Sequence, residues 1–156
     1  MTDGFTFLEL LLILFFCSVL LAVGNFFAPH WKSTWAVNTA ARDICFLVHK
    51  GKMAAVKNRS HVTLGLSADG FYVFFDRDKD AVFSDGDRLV GQVLFADYPG
   101  NLRLWEKKPS FAGKKALIVN ARGFLAAKSK GGSIYLASMK QVRRVIISMN
   151  GVARIE

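Results

Sequence analysis

Cysteine, histidine and acidic residues are all scarce in this chain, and each shortage removes a class of explanation. The two cysteines, Cys17 and Cys45, are too few for a disulfide framework. On one continuous helix they would lie ~42 Å apart at ~1.5 Å rise per residue, far beyond the ~7 Å Cα limit for a bridge. Both read as small apolar residues. The three histidines, His30, His49 and His61, are scattered and have no acidic or cysteine partner at metal-ligand spacing. There is also no strand-turn nucleophile, no glycine loop of the phosphate-cradling kind and no carboxylate pair in a cleft pattern. These shortages argue against an enzyme. The chain also has no internal repeat and no low-complexity linker, so its 156 residues suit one domain beside an N-terminal helix.

The shortage of acid is local. Residues 1–102 carry 9 Lys/Arg against 10 Asp/Glu, whereas residues 103–156 carry 12 against 2. A basic C-terminal half of this kind suits phosphates, of nucleic acid or of lipid headgroups, or is a solvated basic surface beside an anionic membrane. The residues that would form a phosphate patch are Lys128, Lys130, Lys140, Arg143, Arg144 and Arg154, and no DNA- or RNA-reading motif accompanies them.

What the chain has in excess is at its start. Gly4-Phe5-Thr6-Phe7-Leu8-Glu9-Leu10 runs into apolar sequence as far as Phe27, and Glu9 is the only formal charge from Phe5 to Phe27. Such a run crosses a ~30 Å hydrocarbon core as a helix. A carboxylate one turn inside costs roughly 2.5–3.5 kcal/mol on insertion scales, less near the end, so Glu9 either snorkels to the headgroups or meets a positive partner from another chain. Trp31 and Trp35 stand where a membrane–water belt would lie.

Beyond Pro29, where a kink is expected, Trp31 to about Asn58 has an amphipathic helical pattern. Val37, Ala40, Ala41, Ile44, Val48 and Ala55 recur near helical spacing, with Leu47 widening the stripe. The period then changes to two. His61–Leu66 and Phe71–Phe75 flank the turn Ser67–Gly70 as a hairpin, and Leu89–Phe95 is a further strand with Gly91 a candidate bulge. Segments 102–105, 116–119 and 133–136 are short strands. Val142–Met149 and Val152–Ile155 form a terminal hairpin turning at Asn150-Gly151. The expected fold is therefore α+β: a long N-terminal helix, half membrane-spanning and half amphipathic, packed on an antiparallel β-sheet domain. Its segments are a leader 1–4, a transmembrane or filament-core helix 5–28, its amphipathic continuation 29–58 and a globular antiparallel β domain 59–156.

The run Asp76-Arg77-Asp78-Lys79-Asp80-Ala81-Val82-Phe83-Ser84-Asp85-Gly86-Asp87 is the most site-like. Numbered from Asp76, the oxygen ligands Asp76, Asp78, Asp80, Ser84 and Asp87 fall at positions one, three, five, nine and twelve of a calcium loop, with Phe83 in the apolar eighth place. Ala81 stands where such loops have glycine, and Asp87 is shorter than the usual glutamate. The other reading is an Asx-rich connection whose side chains bond their own backbone.

Gly-Phe-Thr-x-x-Glu-Leu before an apolar run resembles the N-terminal signature of type IV pilins and type II secretion pseudopilins. The resemblance implies cleavage by a prepilin peptidase between Gly4 and Phe5, N-methylation of Phe5, and pairing of Glu9 with the N-terminal ammonium of a neighbouring subunit. The leader Met1–Gly4 lacks the Lys or Arg usual in such leaders, so either the start lies upstream or later charges such as Lys32 and Arg42 set the orientation.

Within that superfamily the chain is most similar to the GspH/FimT branch, minor pseudopilin H of type II secretion and its type IV pilus relatives. The similarity rests on 51–58 running into 62–64, on 119–123 followed by 131–136, and on 144–155. It implies a low-copy subunit at or near the tip of a filament, with other minor and major (pseudo)pilins as partners. Before assembly it would be a single-pass protein of the bacterial inner membrane with its globular part in the periplasm. Some pilus-type members take up DNA through a C-terminal Gly-Arg-x-Arg turn. The matching residues here are Gly151-Val152-Ala153-Arg154, which makes a DNA- or anion-gripping subunit the alternative function.

Overall fold

The computed structural model describes residues 6–78, 80–84, 86–105, 111, 116–126, 131–139 and 141–156, with the backbone alone at 25–30. Among the described residues one helix, α1 (Phe7–Asn58), is followed by eight strands: β1 (Val62–Leu66), β2 (Gly70–Phe75), β3 (Arg88–Leu94), β4 (Arg103–Leu104), β5 (Ala116–Val119), β6 (Gly132–Ser138), β7 (Gln141–Ile147) and β8 (Ala153–Ile155). A 3-10 turn, Phe95–Asp97, follows β3. The expected α+β architecture is the one observed. The chain divides into two compact units, Met1–Lys32 and Ser33–Glu156.

In the first unit α1 begins at a capped end. The Thr6 hydroxyl accepts a hydrogen bond from the Glu9 amide at 3.3 Å, satisfying one of the donors that every helix start leaves without an intrahelical partner. Phe7–Gly24 has a mean hydropathy of 2.6 and none of it is buried. The helical backbone continues through Pro29.

In the second unit the strands form two four-stranded antiparallel sheets, ordered β3-β2-β1-β5 and β4-β6-β7-β8. The part of α1 in this unit turns one stripe to the core. Val37, Ala40, Ala41, Ile44, Leu47, Val48 and Ala55 are all buried, as their spacing predicts. They join Val62, Leu64, Phe71, Val73, Leu117 and Val119 from the first sheet and Ile134, Leu136, Val145 and Ile147 from the second in one apolar cluster. Small residues let backbone and sheet approach closely. A Cβ at Gly51 would lie 2.7 Å from Val73 Cγ1, and one at Gly91 would lie 2.7 Å from Leu47 Cδ1. Gly51 therefore weakens the helix intrinsically but creates the space that packing uses.

The irregularity expected near Gly91 is present. Val73 pairs with Gly91 and Phe74 with Leu89, which leaves Val90 as the extra residue of a β-bulge. Phe111, with φ +53, is fully buried and meets Phe71 edge-to-face at 6.4 Å. The terminal hairpin turns through Ser148–Gly151, where the Gly151 amide donates to the Ser148 carbonyl and the Ser148 amide to the Val152 carbonyl.

Candidate functional site

Three places bear on function: the apolar start of α1, the loop between β2 and β3, and the basic C-terminal strands. At the first, Glu9 lies three residues beyond the Thr6 cap, in the helix turn where the positive end of the dipole favours a carboxylate. Thr6-x-x-Glu9 has the spacing of a capping box, a signal legible in the sequence alone. Gly4 and Phe5, the expected cleavage pair, lie outside the described residues. Both cysteines lie on α1 with free thiols, and burial pushes the Cys45 thiol upward from its ordinary range.

The loop between β2 and β3 brings together the carboxylates of Asp76, Asp78 and Asp80, which each place an oxygen within 4.8 Å of the others. An oxygen cluster of this kind is the chemistry that hard cations such as calcium accept. The same carboxylates also bond backbone. Asp76 Oδ2 accepts from the Ala81 amide at 3.0 Å and from the Thr63 hydroxyl at 3.3 Å, and Asp80 Oδ1 accepts from the Val82 amide at 2.7 Å. Asp87 is not in the cluster. Its oxygens accept from the Arg77 and Ser84 amides at 3.0 and 2.9 Å and from the Ser84 hydroxyl. The Arg77 amide bond holds the Asp87 carboxyl below its ordinary range, aided by Ser84 and opposed by burial. Ala81 adopts φ +64, the turn conformation for which calcium loops supply glycine.

The loop has a structural task besides. Thr63, Gly65, Tyr72 and Phe74 face away from the core, yet Thr63 and Phe74 are buried. Phe83 stacks on Tyr72 with ring centroids 5.5 Å apart and meets Phe74 edge-on at 5.4 Å, covering the outer face of the sheet. Beside it is a cleft of ≈ 450 Å³ lined by Leu66, Asp69, Tyr72, Phe74, Val82 and Phe83 among others. Its carboxylate, Asp69, accepts from the Tyr72 hydroxyl at 2.8 Å and is held below its ordinary range by the Ser67 side chain and by Tyr72.

The basic strands separate the arginines that the sequence groups. Arg143 and Arg144 are consecutive on β7 and so point to opposite faces. Arg143 Nε donates to Asn38 Oδ1 of α1 at 2.8 Å. Arg144 donates to Ser133 Oγ, lies over the Tyr135 ring and pairs with Glu156 at 3.1 Å. Arg154 shares that glutamate at 3.5 Å. Lys128, Lys130 and Lys140 lie outside the described residues. Arg144 and Arg154 are thus brought together on one carboxylate, and Arg143 is turned from them toward the helix.

The C-terminal half of α1 is also tied to the last hairpin. Lys52 Nζ donates to the Asn150 carbonyl at 3.0 Å and sits 5.9 Å over the Phe124 ring. A Cβ on Gly151 would lie 2.6 Å from the Gly123 carbonyl oxygen, so the two glycines are in backbone contact.

One long helix, exposed and apolar at its start and packed further on against antiparallel sheets, defines a type-IV-pilin-like fold. Two solved structures of the type IV minor pilin FimU of Pseudomonas aeruginosa share it, with TM-scores of 0.56 and 0.53 at 15% identity, covering 77% and 76% of this chain and 87% and 91% of theirs. The chain is also similar to the pilin-like protein PilA1 of Thermus thermophilus, at 29% identity over 157 residues, 98% of this chain and 97% of that protein. No protein-family profile matches it.

Proposed function

We propose that this chain is a structural subunit of a type IV pilus or type II secretion pseudopilus, a minor pilin or pseudopilin of the GspH/FimT branch placed at or near the tip. The observation that carries the reading is the Phe7–Gly24 stretch of α1, apolar and wholly exposed, with Glu9 as its single carboxylate in the capped first turn. In a bilayer such a surface is satisfied by lipid, and in a filament by neighbouring helices. The buried carboxylate is tolerable in the second setting only if it is paired.

In this reading prepilin peptidase cuts between Gly4 and Phe5, and Phe5 becomes the methylated first residue. The chain waits in the inner membrane with its globular unit in the periplasm. Glu9 then neutralises the N-terminal ammonium of a neighbour as the subunit enters the filament.

Mass spectrometry of the N-terminus from membrane fractions is the direct test. Methylated Phe5 is expected, and an intact Met1 or a cut beyond the apolar run would overturn the reading. Glu9→Ala should abolish incorporation into sheared filaments while the globular unit stays folded. Wild-type assembly in that variant would sink the role given to Glu9.

A further inference from the structure

The cleft of ≈ 450 Å³ beside Phe83, on the outer face of the first sheet, combines a bare floor, an aromatic wall and one charge. The floor is at Gly65, where a Cβ would stand only 3.0 Å from Phe74 Cε1. Along the wall Tyr72 and Phe83 lie nearly parallel, with 12° between their planes, and Phe74 meets Phe83 edge-on. Leu66, Ala81 and Val82 complete the apolar lining, and Val82 and Phe83 stay exposed although they are residues that folding usually hides. The charge is the Asp69 carboxylate, which accepts from the Tyr72 hydroxyl at 2.8 Å and so lies at the rim of the wall. A cleft of this size, mostly apolar with one convergent polar group, has the make-up of a ligand site.

The carboxylate fixes the sign of what can enter. The Ser67 and Tyr72 side chains keep Asp69 ionised at neutral pH. An apolar or anionic occupant would strip water from that carboxylate and give nothing in return, which is strongly penalised. A fitting occupant brings an apolar stem to the wall and a cation to Asp69.

The chain does not supply that cation. Among the described residues no lysine or arginine lines the cleft. Rings elsewhere on the same unit already carry one: Arg88 lies over Phe75, Arg144 over Tyr135 and Lys52 over Phe124, at 5.7, 5.6 and 5.9 Å from the centroids. The surroundings are acidic too. The loop that contributes Ala81, Val82 and Phe83 holds five aspartates between Asp76 and Asp87 against Arg77 and Lys79, on a chain of net charge +9.

Planarity decides between the two cationic side chains. An ammonium is compact and holds its water, whereas a guanidinium is flat, weakly hydrated and able to lie on a ring while its edge donates to a carboxylate. The Tyr72–Phe83 pair, with Asp69 at its rim, offers both a flat surface and an acceptor.

We propose that this cleft binds an arginine side chain of a partner polypeptide, its guanidinium stacked on the Tyr72–Phe83 wall and donating to Asp69. The inference goes beyond the filament reading and does not depend on it.

The test titrates the full chain, labelled with nitrogen-15 and held in detergent micelles, with Nα-acetyl-arginine methylamide while amide shifts are recorded. Saturable shifts are expected at Gly65, Ser67, Asp69, Tyr72 and Phe83. The neutral isostere Nα-acetyl-citrulline methylamide should bind about tenfold more weakly, and the capped lysine several-fold more weakly. Asp69→Asn, which keeps an acceptor for Tyr72, should lower the arginine affinity about tenfold while the rest of the spectrum stays in place. Shifts that do not saturate or fall elsewhere, or citrulline or lysine bound as well as arginine, overturn the proposal on the unaltered protein. An affinity unchanged by Asp69→Asn overturns it as well.

Discussion

Ala81 occupies a backbone conformation that costs an alanine about 1 kcal/mol and a glycine almost nothing. Ala81→Gly is therefore expected to leave stability unchanged or raise it by about 0.5–1 kcal/mol in urea unfolding, the relief of strain being partly offset by the freer unfolded chain. A loss above about 1 kcal/mol would mean that the methyl group packs. Phe111 is the opposite case, an unavoidable strain held by burial. It is fully enclosed against Phe71 and the approach of Gly132. Phe111→Ala should cost about 3–5 kcal/mol by the same measurement. Phe111 is the one large apolar residue in the charged, proline-containing stretch between Trp105 and Ala116. A lone aromatic in a loop has no period, so the sequence offered composition alone as a sign of its burial.

Among the elements, the loop between β2 and β3 is both a cover for the sheet and an oxygen cluster. Because its carboxylates already accept backbone amides and stay open to solvent, calcium is expected to bind no tighter than about 10⁻⁴ M, the range of weak extracellular sites. Titration calorimetry on the full chain in detergent measures this, and a Kd in the micromolar range would refute it. Much at this scale was legible. The buried stripe of α1 followed from its spacing, the last hairpin from Asn150-Gly151, and the bulge from Gly91. What periodicity could not supply was partnership. Nothing local says that β1 pairs with β5, with Val62 opposite Val119 across more than fifty residues. The divergence of Arg143 and Arg144 was readable from strand alternation, whereas the sharing of Glu156 by Arg144 and Arg154 needed the register of β7 with β8.

For the whole molecule, pH acts from two sides. Asp69 and Asp87 are held below their ordinary range, by the Ser67 and Tyr72 side chains and by the Arg77 amide respectively. Groups with a depressed folded pKa contribute stability above the unfolded value of about 3.9 and lose it as pH falls through the folded value. Tyr98 is displaced upward, by burial and then by the Asp43 carboxylate it donates to at 2.6 Å. Its contribution is complete below about pH 10 and is lost as pH rises beyond it. The melting temperature should therefore be flat from about pH 5 to 9 as far as these groups are concerned. Asp87→Asn should reduce the acid fall and Tyr98→Phe the alkaline one. An unchanged acid limb in Asp87→Asn would show that its hydrogen bonds contribute nothing to folding.

The bond from Lys52 to the Asn150 carbonyl spans 98 residues, and the Gly123–Gly151 contact lies beside it. A chain delivered from its N-terminus presents the helix first and the last hairpin at the end, so this closure is the latest that folding can make. Long-range closure of this kind is slow, because most of the chain's freedom is lost before the contact repays it. The consequence is that the end of the chain reports on its beginning: a chain cut short before Asn150 keeps the shared apolar core but loses β8 and the Lys52–Asn150 closure, and it should melt at a lower temperature than the full chain.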